Sequence, residues 1–341
     1  MNKIIFLILL LPGLAFGASS RVLPASYTEY TYDSAGGGED YTSLATWEAD
    51  TDIDVTTTGQ VLTCSSGIHA DTVALAGATT DADGFRVIRA ASGARGTPTS
   101  GVRFVISNAA SSAVFAIEEH NAKIYDVAAK RVSTASGGYA YGFNATSVSG
   151  VVFAGCTAYD CTNTTGTSQG VGFVFSNCSG GIIVNCFATG SRGAHTGTCG
   201  FRGYSSSVAQ TYYFYNLTAT DNNVAGISCY TSGVATTVAV INAKNCIAQG
   251  NATNFYTYGA GTETINQTTN VTANVTFEAD GYHITNDADA VGAGTDLSAD
   301  GTFAFDDDID GETRVGSWDI GADEYVSGEP PAARRRIIMV Q

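Results

Sequence analysis

Two aspartates in the middle of the chain could supply the chemistry of glycoside hydrolysis. Asp160 and Asp221 each lie four residues after an equivalent position of the internal repeat described below, and Gly190 holds that place in the unit between them. Hydrolysis of a glycosidic bond uses two carboxyl groups about 5–9.5 Å apart. If the units stack like paired strands, about 4.8 Å apart, two steps separate the aspartates by about 10 Å, the long limit for an inverting pair.

Basic side chains lie on turns close to these aspartates. Arg192, His195 and Arg202 could act as a general base or hold a substrate in place. The predicted catalytic residues are therefore Asp160, Arg192, His195 and Asp221. The alternative is that all of them are solvated turn residues with no part in catalysis.

Several tyrosines could stack on sugar rings along the same surface, or could instead pack within the fold. These residues are Tyr139, Tyr141, Tyr159, Tyr204, Tyr212 and Tyr230.

A run of acidic residues near the C-terminus could bind calcium. Asp306, Asp308, Asp310 and Gly311 occupy the early positions of a D-x-D-x-D-G loop, whereas the twelfth position is Ser317 instead of glutamate, so the ligand set is incomplete. The sequence thus predicts a possible Ca²⁺ site at these three aspartates. Zinc is disfavoured, because the cysteines have no C-x-x-C spacing and the four histidines are scattered.

The elements that position these residues follow from an internal repeat. One series of apolar residues recurs at intervals of about 30 residues, and an alanine stands two places after each member. The apolar series is Val127, Cys156, Cys186, Leu217 and Cys246, and the alanines are Ala129, Ala158, Ala188, Ala219 and Ala248. A second series, out of phase with the first, is Phe115, Phe143, Phe173, Phe201, Ile227 and Phe255. A period in this range indicates a repeat architecture.

Within each unit the apolar residues alternate, as in Ile182, Val184 and Cys186, which is the two-residue period of a strand. Short strands that stack from unit to unit bury a continuous core. The sequence therefore predicts an all-β, right-handed parallel β-helix with coils of about 29 residues and an N-terminal helical cap.

Asparagines are expected at the corners of the coils. Asn216 and Asn222 bracket one strand and its exit turn, and Asn245 and Asn251 do so at the same spacing. Asparagine tolerates the left-handed backbone of a tight turn, and its amide can bond to the equivalent amide one coil away.

The pattern N-x-x-x-x-(D/G)-N-x-x-G/N-(I/F) resembles the right-handed β-helix family that includes the pectate-lyase-like proteins, most strongly over residues 100–260. That resemblance implies a polysaccharide lyase or glycoside hydrolase, or a protein that binds polysaccharide along its coil face. A non-catalytic role, as an adhesin or a phage-spike-like structural protein, is the alternative.

The C-terminal stretch also resembles the end segment of exported bacterial β-helix proteins, Asp-Gly-x-x-Arg followed by Asp-Ile-Gly-Ala-x-Glu. Here the resemblance implies a structural cap in which Arg314 pairs with Asp319 or Glu324, the alternative to calcium binding.

These features divide the chain into five parts. We expect a signal peptide at 1–17, an N-terminal cap at 18–60, the β-helix at 61–300, a C-terminal cap at 301–326 and a basic tail at 327–341. In the N-terminal cap, a helix is expected to start at Thr42 or Ser43, with Leu44 and Trp47 covering the core.

Charge and cysteine content narrow the function classes. Without the leader the chain has 15 basic and 32 acidic residues, a net charge of −17, which disfavours nucleic acid as a partner. The leader predicts a secreted, extracellular protein without a membrane span, whose partner is a polysaccharide or cell-surface glycan. Self-association through the tail is possible. Most of the eight cysteines are expected to be buried thiols, with Cys199 and Cys229 as the pair that could form a disulfide.

Overall fold

The structure is a computed structural model that describes residues 19–165 and 168–327. The predicted signal peptide and, apart from its first residue, the predicted basic tail lie outside the described residues.

The described chain forms one short helix, α1 (Leu44–Asp50), and many short strands. In chain order the strands are β1 (Tyr27–Tyr32), β2 (Gly59–Cys64), β3 (Gly67–His69), β4 (Val73–Leu75), β5 (Arg86–Ala90), β6 (Val102–Asn108), β7 (Ser112–Ile117), β8 (Lys123–Tyr125), β9 (Ala128–Ser133), β10 (Ala140–Thr146), β11 (Val152–Ala154), β12 (Thr157–Tyr159), β13 (Thr162–Asn163), β14 (Gly170–Ser176), β15 (Ile182–Val184), β16 (Phe187–Thr189), β17 (Cys199–Ser205), β18 (Gln210–Tyr215), β19 (Thr218–Thr220), β20 (Ala225–Thr231), β21 (Val238–Lys244), β22 (Ile247–Gln249), β23 (Thr253–Gly259) and β24 (Thr262–Thr268).

The strands form three parallel sheets, and the chain visits the sheets in turn. The first sheet has the order β1-β2-β5-β8-β11-β15-β18-β21-β24, the second runs from β3 to β22, and the third has the order β4-β7-β10-β14-β17-β20-β23. Each circuit of the three sheets is one coil, and about eight coils of about 29 residues form a right-handed parallel β-helix. The predicted fold class is confirmed.

Both predicted series are columns that run through the interior. Phe143 pairs in register with Phe115 and Phe173, and Phe173 pairs with Phe201. The rings of Phe143 and Phe173 stack with centroids 4.5 Å apart. The alanine series forms the matching column of the second sheet. The repeat thus maps one unit onto one coil, and its apolar positions form the core.

Small residues allow the second and third sheets to approach each other. Gly172 precedes Phe173 in the third sheet and faces the alanine column of the second sheet. A Cβ atom on Gly172 would lie 2.6 Å from the carbonyl oxygen of Gly200 and 2.9 Å from the Cβ of Ala158. Close packing therefore requires the glycines that precede three of the core aromatics, Gly142, Gly172 and Gly200.

The corner between the first and second sheets has a left-handed backbone in five successive coils. Asp126, Gly155, Asn185, Asn216 and Asn245 have φ between 51° and 63°. Residues with a short polar side chain, or with none, adopt this conformation at the least cost.

Side-chain amides join successive corners. The Nδ2 of Asn245 donates to the Oδ1 of Asn216 over 3.0 Å, and the Nδ2 of Asn222 donates to the Oδ1 of Asn251 over 3.0 Å. The predicted amide bonds between coils are confirmed for both pairs, whereas the left-handed backbone is confirmed for Asn216 and Asn245 and not for Asn222 and Asn251.

Helix α1 covers the N-terminal end of the core. Ser43 is its N-cap, and its hydroxyl accepts a hydrogen bond from the Thr46 amide. Leu44 and Trp47 are fully buried in the main core. The predicted helix start and its two buried residues are confirmed.

The C-terminal segment packs along the side of the coils. Leu297, Phe305 and Trp318 pack on the outer face of the first sheet, beside Val184 and Tyr215. Apolar contacts therefore attach this segment to several successive coils.

Ion pairs hold the same segment in place. Arg21 bonds to Asp126 on a coil at 2.7 Å and to Asp307 in the segment at 2.8 Å. Arg314 pairs with Glu324 at 2.8 Å, which is one of the two pairings that the sequence predicted.

The eight cysteines are all buried free thiols. The proposed Cys199–Cys229 disulfide is wrong, because the two side chains lie in different clusters. Cys199 belongs to a small apolar cluster with Val171 and Val174, separate from the main core that holds Cys229.

Candidate functional site

A groove crosses the outer face of the third sheet. It has a volume of about 320 Å³ and is lined by Tyr139, Tyr141, Gln169, Ser176, His195, Arg202, Tyr204 and Tyr230. Apart from His195, which lies in the turn four residues before β17, these residues lie on, or directly before, the four neighbouring strands β10, β14, β17 and β20. We refer to it as the tyrosine–arginine groove.

Strand alternation places its side chains outside the core. In β17, Phe201 points into the core, so Arg202 points outward, and Tyr204 does so two residues later. Tyr204 pairs in register with Ser176 on one side and with Tyr230 on the other. The small side chain of Ser176 leaves a gap in this row, and the gap contributes to the groove.

The tyrosine rings of the groove stack on one another, and the stacking covers much of their faces. The rings of Tyr204 and Tyr230 stack at 5.1 Å, and Tyr230 stacks on Tyr258 at 4.3 Å. Tyr139 stacks on Tyr141 at 5.4 Å and is 45% exposed. Tyr139 therefore offers an accessible ring, whereas Tyr230, stacked on both sides, offers mainly its ring edge and hydroxyl group.

Arg202 has neutral partners although it is only 4% exposed. Its Nη1 donates to the Oε1 of Gln169 and to the carbonyl oxygen of Gly197, and its Nη2 donates to the Tyr141 hydroxyl at 3.0 Å. Its buried Nε has no hydrogen-bond partner. Burial alone would lower the pKa of Arg202, but its interactions with Tyr141 and Tyr258 outweigh this effect and raise it, so the side chain stays charged.

Two other arginines that are largely buried contact carboxylates. The Nε of Arg86 lies 2.9 Å from Glu119, and the Nε of Arg95 lies 2.9 Å from Asp310. Arg131 resembles Arg202 in having neutral partners, which include Asn108 and the carbonyl oxygen of Ala110. Arg202, however, lines an open groove, and Arg131 does not line it.

The two predicted catalytic aspartates lie at corners of the coils. The register of the second sheet aligns Tyr159, Thr189 and Thr220, which puts Asp160 and Asp221 in one column, as the sequence predicted. Their φ angles are 48° and 52°, so both have the left-handed backbone of a corner.

Each of these aspartates is paired with a basic residue. Asp160 bonds to Lys130 at 2.8 Å, and Asp221 bonds to Arg192 at 2.6 Å, with 72% of the Asp221 side chain exposed. Neither aspartate lines the tyrosine–arginine groove. Of the four predicted catalytic residues His195 alone lines it, so the structure does not bring the predicted set together there.

Four of the six tyrosines named from the sequence line the groove, and two do not. Tyr212 is fully buried in the main core, and Tyr159 is 6% exposed with Lys130 over its ring. The groove residues that sequence reasoning missed are Gln169 and Ser176. Strand alternation relative to the phenylalanine column would have identified Ser176, three residues after Phe173.

A second cluster of charged residues lies under the C-terminal segment. The Nδ1 of His283 lies 2.5 Å from Asp280 and its Nε2 lies 2.6 Å from Asp310. Burial alone would lower the pKa of His283, but its hydrogen bonds to the two aspartates raise it to about 10. Arg95 and His283 together hold the pKa of Asp310 at about 2, although burial opposes this. The cluster ties residues 280–310 to the coil that carries Arg95.

The three predicted calcium ligands are engaged in different ways. Asp308 accepts hydrogen bonds from the amides of Asp310 and Glu312 at 2.9 Å each, and burial raises the pKa of Asp306. Asp310 bonds to Arg95 and His283. A calcium ion at Asp308 and Asp310 would compete with these partners, and the calcium site remains a prediction.

One group of possible ligand atoms converges within the described ranges. It consists of His283, Asp310 and Asp323, whose ligand atoms lie within 4.8 Å of one another. Arg95 and the protonated His283 already neutralise charge there, which opposes the binding of a cation.

Comparison with other proteins identifies no family for this chain. The chain matches no protein-family model, no curated protein and no solved structure at a significant level. Across residues 19–165 and 168–327, none of the helices has the length and apolar character needed to span a bilayer.

Proposed function

We propose that this protein binds acidic polysaccharide in the tyrosine–arginine groove and does not cleave it. The observation that carries this proposal is the buried, charged Arg202, whose partners are all neutral and whose Nε has none. Secretion is part of the proposal and rests on residues 1–17 of the sequence.

A carboxylate on a sugar ring would complete the surroundings of Arg202. Burying a cation without a counter-charge is costly, and the cost is offset when an anion is supplied. A guanidinium binds a carboxylate through charge-assisted hydrogen bonds, which are about twice as strong as neutral ones. The net charge of −17 without the leader repels a polyanion at long range, but salt screens that repulsion, so the local contact with Arg202 favours a uronate over a neutral sugar in the groove.

The tyrosines support binding of a sugar chain beside this charge. Tyr139 is exposed and can pack against the apolar face of a sugar ring. The outer edge of Tyr230 presents a hydroxyl group to the groove, whereas the Tyr204 hydroxyl already bonds to Ser232. The groove spans four strands, or about 14 Å along the coil axis at about 4.8 Å a step. A short oligosaccharide lying along the axis fits this length.

The groove lacks the groups that hydrolysis requires. Glycoside hydrolases use two carboxyl groups, and none of the described residues that line this groove has one. Asp160 and Asp221 lie outside it, each paired with a basic side chain. Binding without hydrolysis is thus the function that the geometry supports best.

The test is binding of the purified protein to soluble polygalacturonate and alginate, with a neutral glucan and a neutral mannan as controls. We expect binding to the two uronate polymers and weakening of at least about tenfold in Arg202→Gln, the loss of one charge-assisted contact. Arg192→Gln is the matched control, because Arg192 is exposed and lies outside the groove. Equal affinity for neutral and acidic polymers, or an unaffected Arg202→Gln variant, would refute the proposal.

Reducing ends and the ultraviolet absorbance of unsaturated products should be followed in the same samples. His195 and Arg202 both line the groove, and a lyase would use a base and a cation of this kind. Unsaturated products would show a lyase and overturn the non-catalytic part of the proposal. Binding without products would support it.

A further inference from the structure

Arg202 lines the tyrosine–arginine groove, yet neighbouring residues cover it. Only 4% of Arg202 is exposed. Its Nη1 donates to the Oε1 of Gln169 and to the carbonyl oxygen of Gly197, and its Nη2 donates to the Tyr141 hydroxyl. The two hydrogen atoms of Nη1 are thus both directed to neighbouring oxygens. A carboxylate can therefore bind Nη1 only after one of these oxygens has been displaced.

The carbonyl group of Gly197 belongs to a short turn, residues 193–198, which precedes β17. We refer to it as the covering turn. The Thr198 amide donates to the carbonyl oxygen of His195 at 3.0 Å, and the Gly197 amide donates to the Nδ1 of His195 at 2.9 Å. The backbone and the side chain of His195 therefore stabilise the turn that brings the Gly197 carbonyl to Arg202.

Gly197 allows the covering turn to lie directly on the side chains of the groove. A Cβ atom on Gly197 would overlap the Oε1 of Gln169, and it would lie 2.8 Å from both the Nη1 of Arg202 and the Tyr258 hydroxyl. The backbone of Gly197 is not left-handed. Glycine is therefore needed here for space and not for its backbone conformation.

The contacts that hold the covering turn over Arg202 are weak. The hydrogen bond from Arg202 to the Gly197 carbonyl is 3.3 Å long, and residues 194–196 are exposed. The Oγ1 of Thr198 and the Tyr258 hydroxyl are buried without a hydrogen-bond partner, which is unfavourable. These features favour local opening of the covering turn.

Gln169 occupies the place at Arg202 that a carboxylate would otherwise take. Its side chain is buried, and its Oε1 accepts a hydrogen bond from the Nη1 of Arg202. A carboxylate oxygen resembles this amide oxygen in shape, but its bond to a guanidinium is charge-assisted and about twice as strong. A uronate can therefore displace the amide oxygen, whereas the neutral hydroxyl group of a sugar has no such advantage over it.

We propose that Gln169 and the covering turn keep Arg202 closed until the carboxylate of a ligand displaces them. This inference rests on the proposed function, the binding of acidic polysaccharide in the groove. In the free protein the oxygens of Gln169 and Gly197 occupy the Nη1 of Arg202. When a uronate binds, its carboxylate replaces the Gln169 oxygen, and the covering turn moves away. The two neutral acceptors thus compete with the ligand, and only an anion overcomes them.

The first test compares polygalacturonate binding by variants of Gln169. Gln169→Glu keeps the shape of the side chain and supplies a permanent carboxylate, so it should weaken binding by at least about tenfold. Gln169→Met removes the competing oxygen and should bind at least as tightly as the parent protein. Gln267→Glu is the matched control, because it adds the same charge at an exposed residue outside the groove. Equal affinity of Gln169→Glu and this control would overturn the proposal, as would weaker binding by Gln169→Met.

The second test needs no polymer. It follows the modification of Arg202 by phenylglyoxal, with the modified residue identified by mass spectrometry. Gly197→Ala should keep the covering turn from closing, so Arg202 should react at least about threefold faster than in the parent protein. Gly180→Ala is the control, because open space surrounds Gly180. Equal reaction rates of Arg202 in Gly197→Ala and the parent would overturn the covering role.

Together the two tests distinguish a failure of this proposal from a failure of the proposed function. If Arg202→Gln weakens uronate binding but the Gln169 and Gly197 variants lack their expected effects, the groove binds acidic polysaccharide and the covering role is wrong. If the parent protein binds no uronate polymer, the proposed function fails, and displacement by a carboxylate fails with it.

Discussion

The side-chain amide of Asn245 donates a hydrogen bond to the side-chain oxygen of Asn216 on the preceding coil, at 3.0 Å. Both residues are fully buried, and both have φ near 50°. One residue type therefore satisfies two demands at this corner, a left-handed backbone and a buried polar contact between coils. The two demands can be separated by mutation.

Replacing Asn216 tests them separately. Asn216→Ala should lower the free energy of unfolding by about 2–4 kcal/mol, because it removes the side-chain hydrogen bond and places alanine, which tolerates the left-handed region less well than asparagine, at this corner. Asn216→Gly removes the same hydrogen bond but relieves the backbone, so it should cost about 1 kcal/mol less. Urea unfolding of the three proteins measures both differences. Equal losses in the two variants would show that the backbone conformation contributes nothing.

The sequence predicts the repeating part of the molecule well, because each coil requires the same kind of residue at the same buried position. The core positions of Phe143 and Ala158 recur in successive coils, so their period and alternation can be read directly. The groove was only partly predictable. The sequence alone does not distinguish the buried Tyr159 and Tyr212 from Tyr204 in the groove, because the strand register decides whether a tyrosine faces inward or outward. The packing of the C-terminal segment along the coils could not be foreseen, because that segment does not repeat.

Gly172 allows a test of the close approach between the second and third sheets. Gly172→Ala should destabilise the protein by about 1–3 kcal/mol, because the new Cβ would lie too close to Gly200 and Ala158. Gly180→Ala is the matched control, because the site of Gly180 is not crowded. Gly180 has φ of 65° but open space around it, so its replacement should cost about 1 kcal/mol from backbone strain alone. Thermal unfolding compares them, and a smaller loss for Gly172→Ala would contradict the packing argument.

Lys123 should make stability depend on pH. Burial lowers the pKa of Lys123 to about 8 from its ordinary value of 10.5. Between these two pH values the unfolded chain binds more protons than the folded one, so the contribution of Lys123 to stability rises with pH. Below about pH 8 the lysine is charged in both states, and its desolvation cost is constant.

Lys123→Met should therefore be more stable than the parent protein at pH 7, by about 1–3 kcal/mol, and this advantage should shrink between pH 8 and pH 10.5. Urea unfolding at pH 7 and pH 10 measures it. Lys130→Met is the control, because Lys130 is partly exposed and pairs with Asp160. An advantage that does not change with pH would show that the substitution acts through packing and not through charge.

Arg202 should be costly for stability and necessary for binding. A buried cation with neutral partners pays a desolvation cost that no carboxylate of the protein offsets, so Arg202→Met should leave the free energy of unfolding unchanged or raise it by about 1–3 kcal/mol. The same variant should lose binding of uronate polymers. Arg314→Met is the matched comparison, since Arg314 pairs with Glu324 at 2.8 Å and both are buried.

Removing one partner of such a pair leaves an uncompensated charge, so Arg314→Met should destabilise the protein by about 3–5 kcal/mol. Under conditions in which Arg314→Met is folded, the variant should retain its affinity for uronate polymers, because Arg314 lies outside the groove. The measurements are urea unfolding and polymer binding of both variants at one pH. If Arg202→Met destabilised the protein as much as Arg314→Met does, Arg202 would be a structural residue, and the argument for an anion in the groove would fail. Opposite effects on stability and binding are what a side chain retained for a ligand must show.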